Sequence, residues 1–439
     1  MKKSARRRLF YALVAVFLVL GTGIAFYADG WRFDFSTRTF GKVGEIYVRA
    51  YPADVSITLD GKPIESGVGF ISRGTLITDL LPRTYSLRLM KEGFLPWQEQ
   101  ATVAPSIVTE FKYAVMVPQQ ATTVFYGPFI NAIPTPYGLV IQHATGTIVQ
   151  NGHTIARSGA ITFDPSFSTN LLVRQGPRGP YLNIDLTNIT EQNLSSLFAA
   201  RNISLANAAT VAQNADAIFA LNAGHLWVMD AHSENISFTA RPSGTVVFEP
   251  YLATGPSGAV WTGYLPAKNV TTAYDYDDAS MTASPSATAI PGRTTRIMRL
   301  TDTTFGILQN TGELYSYDVS SQTFTKIADD AVDATTAENN GTLAVLEHKG
   351  IEIFSPSTGD YWRFNLPDAG AIRSIIWYRD GRHLFVAYPE HVAFLDLADA
   401  HLANFATIGD GIMPAYDASA NALYLLDNER DIVRYDFPN

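Results

Sequence analysis

Cysteine is absent from the 439 residues. That excludes disulfides, a thiolate nucleophile and any Cys-ligated metal, although an oxidising compartment stays open to a chain with a large core. Charge is sparse: Asp, Glu, Lys and Arg make up 17% of the chain, against about 25% in an average soluble protein. No His-Glu-x-x-His occurs, and no P-loop, Gly-x-Gly-x-x-Gly or Gly-x-Ser-x-Gly follows a strand-like run, so the common metalloprotease, nucleotide and serine-hydrolase signatures are missing. Apolar residues reach 46%, which suits folded β modules with little surface charge better than disorder. The length calls for two or three domains.

The longest uncharged run lies at the start. Lys2, Lys3, Arg6, Arg7 and Arg8 fill a tail (1–8) without an acid, and Leu9–Ala28 then runs 20 residues without a charge. As a helix it spans about 30 Å, the thickness of a hydrocarbon layer. Phe26, Tyr27 and Trp31 fall where an interfacial aromatic belt would lie. The basic tail predicts a cytoplasmic N-terminus and an extracytoplasmic remainder, with residues 29–43 as a juxtamembrane segment. A cleavable signal peptide is the rival reading, since Gly23 and Ala25 fit a small-x-small site. The run exceeds the 7–15 residues or so of an h-region, which favours an uncleaved anchor. Setting aside the five tail cations leaves 27 Lys and Arg against 41 Asp and Glu. A nucleic-acid partner needs the opposite sign, so none is expected.

Residues 44–117 hold a block of alternating segments: Glu45–Ala50, Val55–Leu59, Thr84–Met90 and Ile107–Val115, with Asp60-Gly61 as a hairpin turn. The alternation predicts a small β-sandwich burying Val55, Ile57, Leu59, Leu87 and Leu89 on one side. The stretch from Pro52 to Gly61 (PADVSITLDG) resembles the PEGA domain family hallmark, Pro-Glu-Gly-Ala followed by alternating residues into Asp-Gly. Leu80–Tyr85 (LLPRTY) is similar to that family's Leu-x-Pro-Gly-x-Tyr segment, and Lys91–Trp97 (KEGFLPW) to its closing Lys-x-Gly-Tyr-x-x-Trp stretch. Glu-Gly-Ala is replaced by Ala53-Asp54-Val55, and the second glycine by Arg83. The resemblance implies an accessory module of prokaryotic envelope proteins without activity of its own.

Residues 118–439 repeat. Short alternating runs end in an aspartate at Asp185, Asp230, Asp275, Asp318, Asp396 and Asp436, with Ser355 filling the one gap. The spacing is 37 to 45 residues. Before each lies another apolar run: Asn170–Val173, Ala217–Leu221, Ala259–Gly263, Phe305–Leu308, Leu343–Leu346, Leu384–Ala387 and Ala422–Leu426. A first copy without aspartate pairs Leu139–Gln142 with Thr147–Gln150. A period near 40 with several strands per repeat predicts a mainly β chain ending in a β-propeller, with eight blades favoured over seven or nine. The last copy is one strand short, and Thr122–Tyr126 is expected to complete it by joining the two ends. Thr187–Ser204 admits a helical turn, and Ser280–Pro291 reads as a flexible insertion.

The candidate chemistry reads as architecture. An aspartate closing a strand accepts a hydrogen bond from the backbone two residues on, so the series predicts Asx-turns. Ser355–Trp362 resembles an Asp-box turn with Ser357 in the aspartate's place. Asp275, Asp277 and Asp278 lack the spacing of a calcium loop and read as a solvated loop. His143, His153, His225, His232, His348, His383, His391 and His401 are scattered, and Trp227, Trp261, Trp362 and Trp377 sit in strands, where packing is expected. No catalytic residue, cofactor or metal site is predicted. The expectation is a single-pass, membrane-anchored extracytoplasmic protein of a bacterial envelope that binds or scaffolds an envelope protein or glycan. A glycan lyase or hydrolase with acids on propeller loops is the alternative.

Overall fold

The computed structural model describes residues 3–34, 38–64, 74–163, 169–208, 210–222, 224–339, 341–355, 361–398, 402 and 404–438. The chain divides into two compact units, 1–120 with 401–404 and 437–439, and 121–400 with 405–436.

The first unit opens with helix α1 (Lys3–Ala28). Within it, Phe10–Ala28 has a mean hydropathy of 2.1 and no buried residue, so it is long and apolar enough to cross a membrane. A hairpin of Trp31–Asp34 and Thr39–Lys42 follows. Seven further strands form two sheets. Gly44–Tyr51 pairs antiparallel with Thr75–Leu80 and parallel with Val108–Val115. Ser56–Leu59 lies between Lys62–Ile64 and Thr84–Met90, which in turn pairs with Trp97–Thr102. The predicted turn is present: Asp60 and Gly61 both have positive φ (51° and 76°), the geometry a two-residue hairpin loop needs. Both sheets bury alternate residues in one core with Ile46, Ile57, Leu87, Leu89, Trp97 and Met116 at its centre. Val55, Ile57, Leu59, Leu87 and Leu89 are all buried, as their alternation predicts. The strands at 62–64, 75–80 and 97–102 are additional to the four read from sequence.

The second unit consists, among the described residues, of eight sheets, each an antiparallel meander of four main strands. Sheet 1 takes Phe129–Thr135, Gly138–His143, Ile148–Gln150 and His153–Ala156; sheet 2 takes Ala160–Phe163, Asn170–Arg174, Tyr181–Asp185 and Thr190–Asn193. Sheet 3 is Thr210–Gln213, Ala217–Leu221, Leu226–Asp230 and Ile236–Ala240; sheet 4 is Val247–Gly255, Gly258–Leu265, Val270–Asp277 and Thr282–Pro285. Sheet 5 comprises Thr294–Arg299, Thr304–Gln309, Leu314–Asp318 and Thr323–Ala328; sheet 6 comprises Ala331–Thr336, Leu343–Glu347, Gly350–Phe354 and Tyr361–Phe364. Sheet 7 is Ser374–Trp377, His383–Ala387, His391–Asp396 and Ala406–Asp410. Helix α2 (Leu194–Ala199) lies between sheets 2 and 3, with Asn193 Oδ1 accepting from Ser196 N at its start.

Sheet 8 joins distant parts of the chain. Ile412–Asp417, Ala422–Leu426 and Ile432–Asp436 supply three strands, and Thr122–Phe125 supplies the fourth, with Thr122 opposite Arg434. The predicted end-to-end pairing is therefore present. Val124 and Phe125 pack with Phe129, Ile141, Ala422 and Ile432, a cluster shared between sheets 8 and 1. The second and third strands are the most buried. Asp-free apolar runs such as Ala217–Leu221 and His383–Ala387 are buried at every position, because each lies inside its own sheet and is covered on both faces.

Ser280–Pro291 is not a flexible insertion. Thr282–Pro285 is the fourth strand of sheet 4, and Ile290–Pro291 pairs with Val270 and Thr271 on the same third strand. Proline is tolerated there because an outer strand leaves one side of its backbone without a ladder.

Candidate functional site

Strand direction sorts every connection of the eight sheets to one of two ends. First strands finish, and third strands finish, at the end carrying the aspartates. Second strands finish, and the chain enters each new sheet, at the other.

At the aspartate end the acids fold turns. Asp185 Oδ1 accepts from Thr187 N at 2.7 Å, Asp230 Oδ1 from His232 N and Ser233 N at 2.9 and 2.6 Å, Asp318 Oδ1 from Ser321 N at 2.7 Å, and Asp396 Oδ1 from Ala398 N at 2.9 Å. Burial acts to raise the Asp185 carboxyl, but the bonds from Thr187 and Asn188 hold it below the usual carboxylate range. The bonds from Ser233 do the same for Asp230. Two members depart from the series. The third strand of sheet 4 runs two residues further than expected, so Asp277 closes the turn, accepting from Ala279 N and Ser280 N. Asp275 is buried instead, and the Tyr317 hydroxyl of sheet 5 donates to it at 2.5 Å. Desolvation pushes Asp275 upward. Asp436 accepts from Arg434 Nε at 2.7 Å rather than from a turn. Asp278 accepts from Asn214 Nδ2 at 2.6 Å and is raised by burial. The three acids are thus two interblock contacts and a turn, not a solvated loop. Residues 356–360 of the Asp-box-like stretch lie outside the described residues, as does His401.

The same end holds a buried ionic group. His383 is fully buried; its Nδ1 donates to Asp380 Oδ2 at 2.7 Å, and its Nε2 faces Asp396 Oδ2 at 3.6 Å, an ion-pair contact beyond hydrogen-bond reach. Burial lowers the imidazole pKa, but Asp396 and Asp380 outweigh it and push it up to about 9. Neighbouring Tyr378 accepts from Asn421 Nδ2, whose Oδ1 accepts from Tyr416, tying sheet 7 to sheet 8. The other described histidines do not converge on it. His225 stacks on Trp227 and His391 on Tyr388, His143 meets the Phe129 ring at a tilt, and His348 meets Asp330 at 2.8 Å. Among the described residues no three His, Asp or Glu side chains gather as metal ligands. Trp261 and Trp377 are buried as expected, whereas Trp362 is exposed on the outer strand of sheet 6.

The opposite end carries two cavities. One cavity of about 430 Å³ is lined by Arg178, Pro180, Ser195, Asn202, Ile203 and Ser204, that is, by the second-to-third turn of sheet 2 and the α2 crossing to sheet 3. Arg174 braces the two, donating to Ala206 O at 2.8 Å with its guanidinium over the Tyr181 ring. A second cavity, of about 460 Å³, is lined by Asn131, Arg373, Ser374, Tyr388, Pro389 and Met413, among others, from sheets 7, 8 and 1. Neither is lined by a carboxylate. Nearby, buried Glu249 accepts from Thr262 and meets Arg293 at 3.5 Å, and Asp333 meets Arg296 at 2.7 Å, so these acids knit the first strands of sheets 4, 5 and 6 together.

No protein-family model and no curated protein matches the chain; the Pro52–Gly61 resemblance gains no support there. Solved structures do match. The C-terminal WD40 domain of Sif2 is similar with a TM-score of 0.50 and 11% identity, covering 73% of this chain and 99% of its own. The computationally designed protein Ika8 gives 0.50 and 10%, covering 72% and 98%. BamB from Moraxella catarrhalis gives 0.48 and 13%, covering 72% and 100%. WD40 repeats build propellers from four-stranded blades. The sheets form a β-propeller. At these identities the likeness speaks to fold alone, and the propeller's two ends must be read from their own residues.

Sequence reasoning found the aspartates but missed both cavities. The available signal was the sign of charge by connection. In sheets 1 to 4, the cavity-end turns and crossings hold Arg157, Arg178, Arg201, Arg241, Lys268 and Arg293 with no Asp or Glu.

Proposed function

We propose that the chain is a membrane-anchored, extracytoplasmic binding or scaffolding protein of a bacterial envelope, held by residues 9–28 and presenting an eight-bladed propeller through a PEGA-like spacer at 44–117. One blade per four-stranded sheet, closed by Thr122–Phe125, gives the count of eight. The observation that carries the binding reading is a contrast within the propeller: acids at the aspartate end are consumed in turns and buried pairs, while the linings of the two cavities contain none. Hydrolysis of a glycan in most glycosidases uses two acids about 5–10 Å apart beside the substrate, and no observation favours that alternative.

Two measurements test the proposal. Protease added to intact spheroplasts is expected to remove everything beyond about residue 30; a protected C-terminus overturns the topology. Pull-down from native membranes with the anchored chain is expected to recover an envelope component that a chain truncated after residue 117 does not. Glycan turnover by the purified chain would replace binding by catalysis.

A further inference from the structure

The propeller's cavity end is divided by charge. In sheets 5 to 8 its turns and crossings carry Glu313, Asp329, Asp330, Asp368, Glu390, Asp427, Glu429 and Asp431 against Lys349, Arg373 and Arg430. In sheets 1 to 4 the corresponding segments carry six cations and no acid. This cationic half belongs to a chain with a formal net charge of −9. Four of the six, Arg157, Arg178, Arg241 and Lys268, are exposed and make no ion pair among the described residues. The fifth, Arg293, lies over the Tyr264 ring at 5.0 Å. Arg201 is occupied by Leu197 O. Exposed cations without partners on four consecutive sheets form a field that attracts anions and repels none of them locally.

The cavity at Arg178 narrows the choice of anion. At about 430 Å³ it falls within the usual range of small-molecule sites, about 300–1,000 Å³. The lining also includes Asn202 and two serines, Ser195 and Ser204, whose Oγ atoms accept from Tyr181 N and Ala206 N and keep an O–H to donate. Pro180, Ala199, Ile203 and Leu205 supply apolar wall. Guanidinium matches a carboxylate, hydroxyls and amides match sugar hydroxyls, and apolar wall matches the C–H face of a pyranose ring. A phosphate chain or a nucleic-acid backbone uses the cation and leaves the apolar wall without a counterpart. We infer that this cavity binds a uronic-acid unit of an acidic polysaccharide, with neighbouring units running over the cationic turns of sheets 1 to 4. The inference names a ligand class for the binding reading above and rests on it.

The test uses the full chain in detergent micelles and polygalacturonate fragments of about ten sugars, with neutral dextran, polyphosphate and duplex DNA as comparisons. Polygalacturonate is expected to bind, and binding is expected to weaken as salt rises from about 50 to 200 mM. Arg178→Glu is expected to lose about tenfold or more in affinity. Arg241→Glu and Lys268→Glu are each expected to lose about two- to threefold, as rim charges. Glu429→Lys, in the acidic half, is expected to lose nothing. Melting temperatures control for folding, and Arg178→Gln replaces Arg178→Glu if the latter melts early. Absence of polygalacturonate binding, equal binding of dextran, equal or tighter binding of polyphosphate or DNA, or an unchanged affinity in both Arg178 variants overturns the inference. None of these outcomes touches the protease topology or the membrane pull-down, so failure here is separable from failure of the wider reading.

Discussion

The aspartate end and the cavity end of the propeller are made from the same eight sheets, yet they handle polar groups in opposite ways. At the aspartate end the acids bond to N–H groups two or three residues away, as Asp230 does with His232 and Ser233 and Asp417 with Ser419 and Ala420. Such bonds are local and repeat from sheet to sheet. At the cavity end the connections range from Gly411 alone to the long α2 crossing, and four of their cations, Arg157, Arg178, Arg241 and Lys268, make no ion pair among the described residues. A repeat fold needs one end that closes every unit alike, which releases the other to vary. Polar groups that satisfy each other hold the fold; polar groups left unsatisfied at the surface are available to a ligand.

The largest expected effect removes the frame on which both ends depend. Deleting residues 121–127 takes the fourth strand from sheet 8 and leaves Ile432–Asp436 with an open edge. It also strips Val124 and Phe125 from the cluster joining sheets 8 and 1. Calorimetry of the full-length deletion is expected to show the cooperative propeller transition lost. A transition at the wild-type temperature would mean that the ring does not close through this strand.

Next in size is the buried ionic group at the aspartate end. His383→Gln removes the buried cation that faces half-buried Asp380 and buried Asp396 and is expected to cost about 3 kcal/mol. The pH dependence follows from the sign. The imidazole pKa is raised in the folded state, to about 9 from an ordinary 6.5. Its contribution is therefore complete below about pH 6.5 and disappears as pH rises through about 9. Melting measured from pH 6 to 10 is expected to show the gap between wild type and His383→Gln closing over that window. A constant gap would mean that His383 is neutral.

What the sequence disclosed follows the same division. Third strands ending in Asp185, Asp230, Asp318 and Asp396 were legible because turn chemistry is local. The joining of Thr122–Phe125 to the last repeat was legible from a count of strands. First strands were not, since Val247–Gly255 and Thr294–Arg299 carry register shifts that break their alternation. Asp275 was misread because its role depends on Tyr317, a residue of another sheet. Ser280–Pro291 was misread because composition hid two short edge strands. The Arg178 cavity brings together residues 178–180 and 195–206 across two complete strands of sheet 2, and no local pattern marks that.

A smaller effect is expected from a single turn former. Asp318→Ala removes the acceptor for both Ser321 N and Ser321 Oγ and is expected to cost about 0.5–2 kcal/mol, as for a lost helix cap. Affinity for polygalacturonate is expected to stay as it was, because Asp318 stands at the end away from the cavities. Loss of binding with an unchanged melting temperature would reverse the roles assigned to the two ends.

The smallest effect on stability is expected where the effect on binding is spread widest. Arg157, Arg241 and Lys268 lie on three different connections of the cavity end, exposed and without an ion pair among the described residues. Replacing all three by Gln removes no buried surface and leaves no buried carboxylate stranded. Surface changes of this kind usually stay within about 0.5 kcal/mol each. The triple variant does make a chain of net charge −9 more negative by three, so a slight fall at low salt that vanishes at high salt is the signature of long-range repulsion rather than of lost contacts. Melting curves at about 20 and 500 mM salt separate the two. If the triple variant melts as early as Asp318→Ala at both salt concentrations, those cations stabilise the fold, and the cavity end is as architectural as the aspartate end. If it melts with the wild type at high salt while polygalacturonate binding falls, stability and recognition occupy opposite ends of the same sheets.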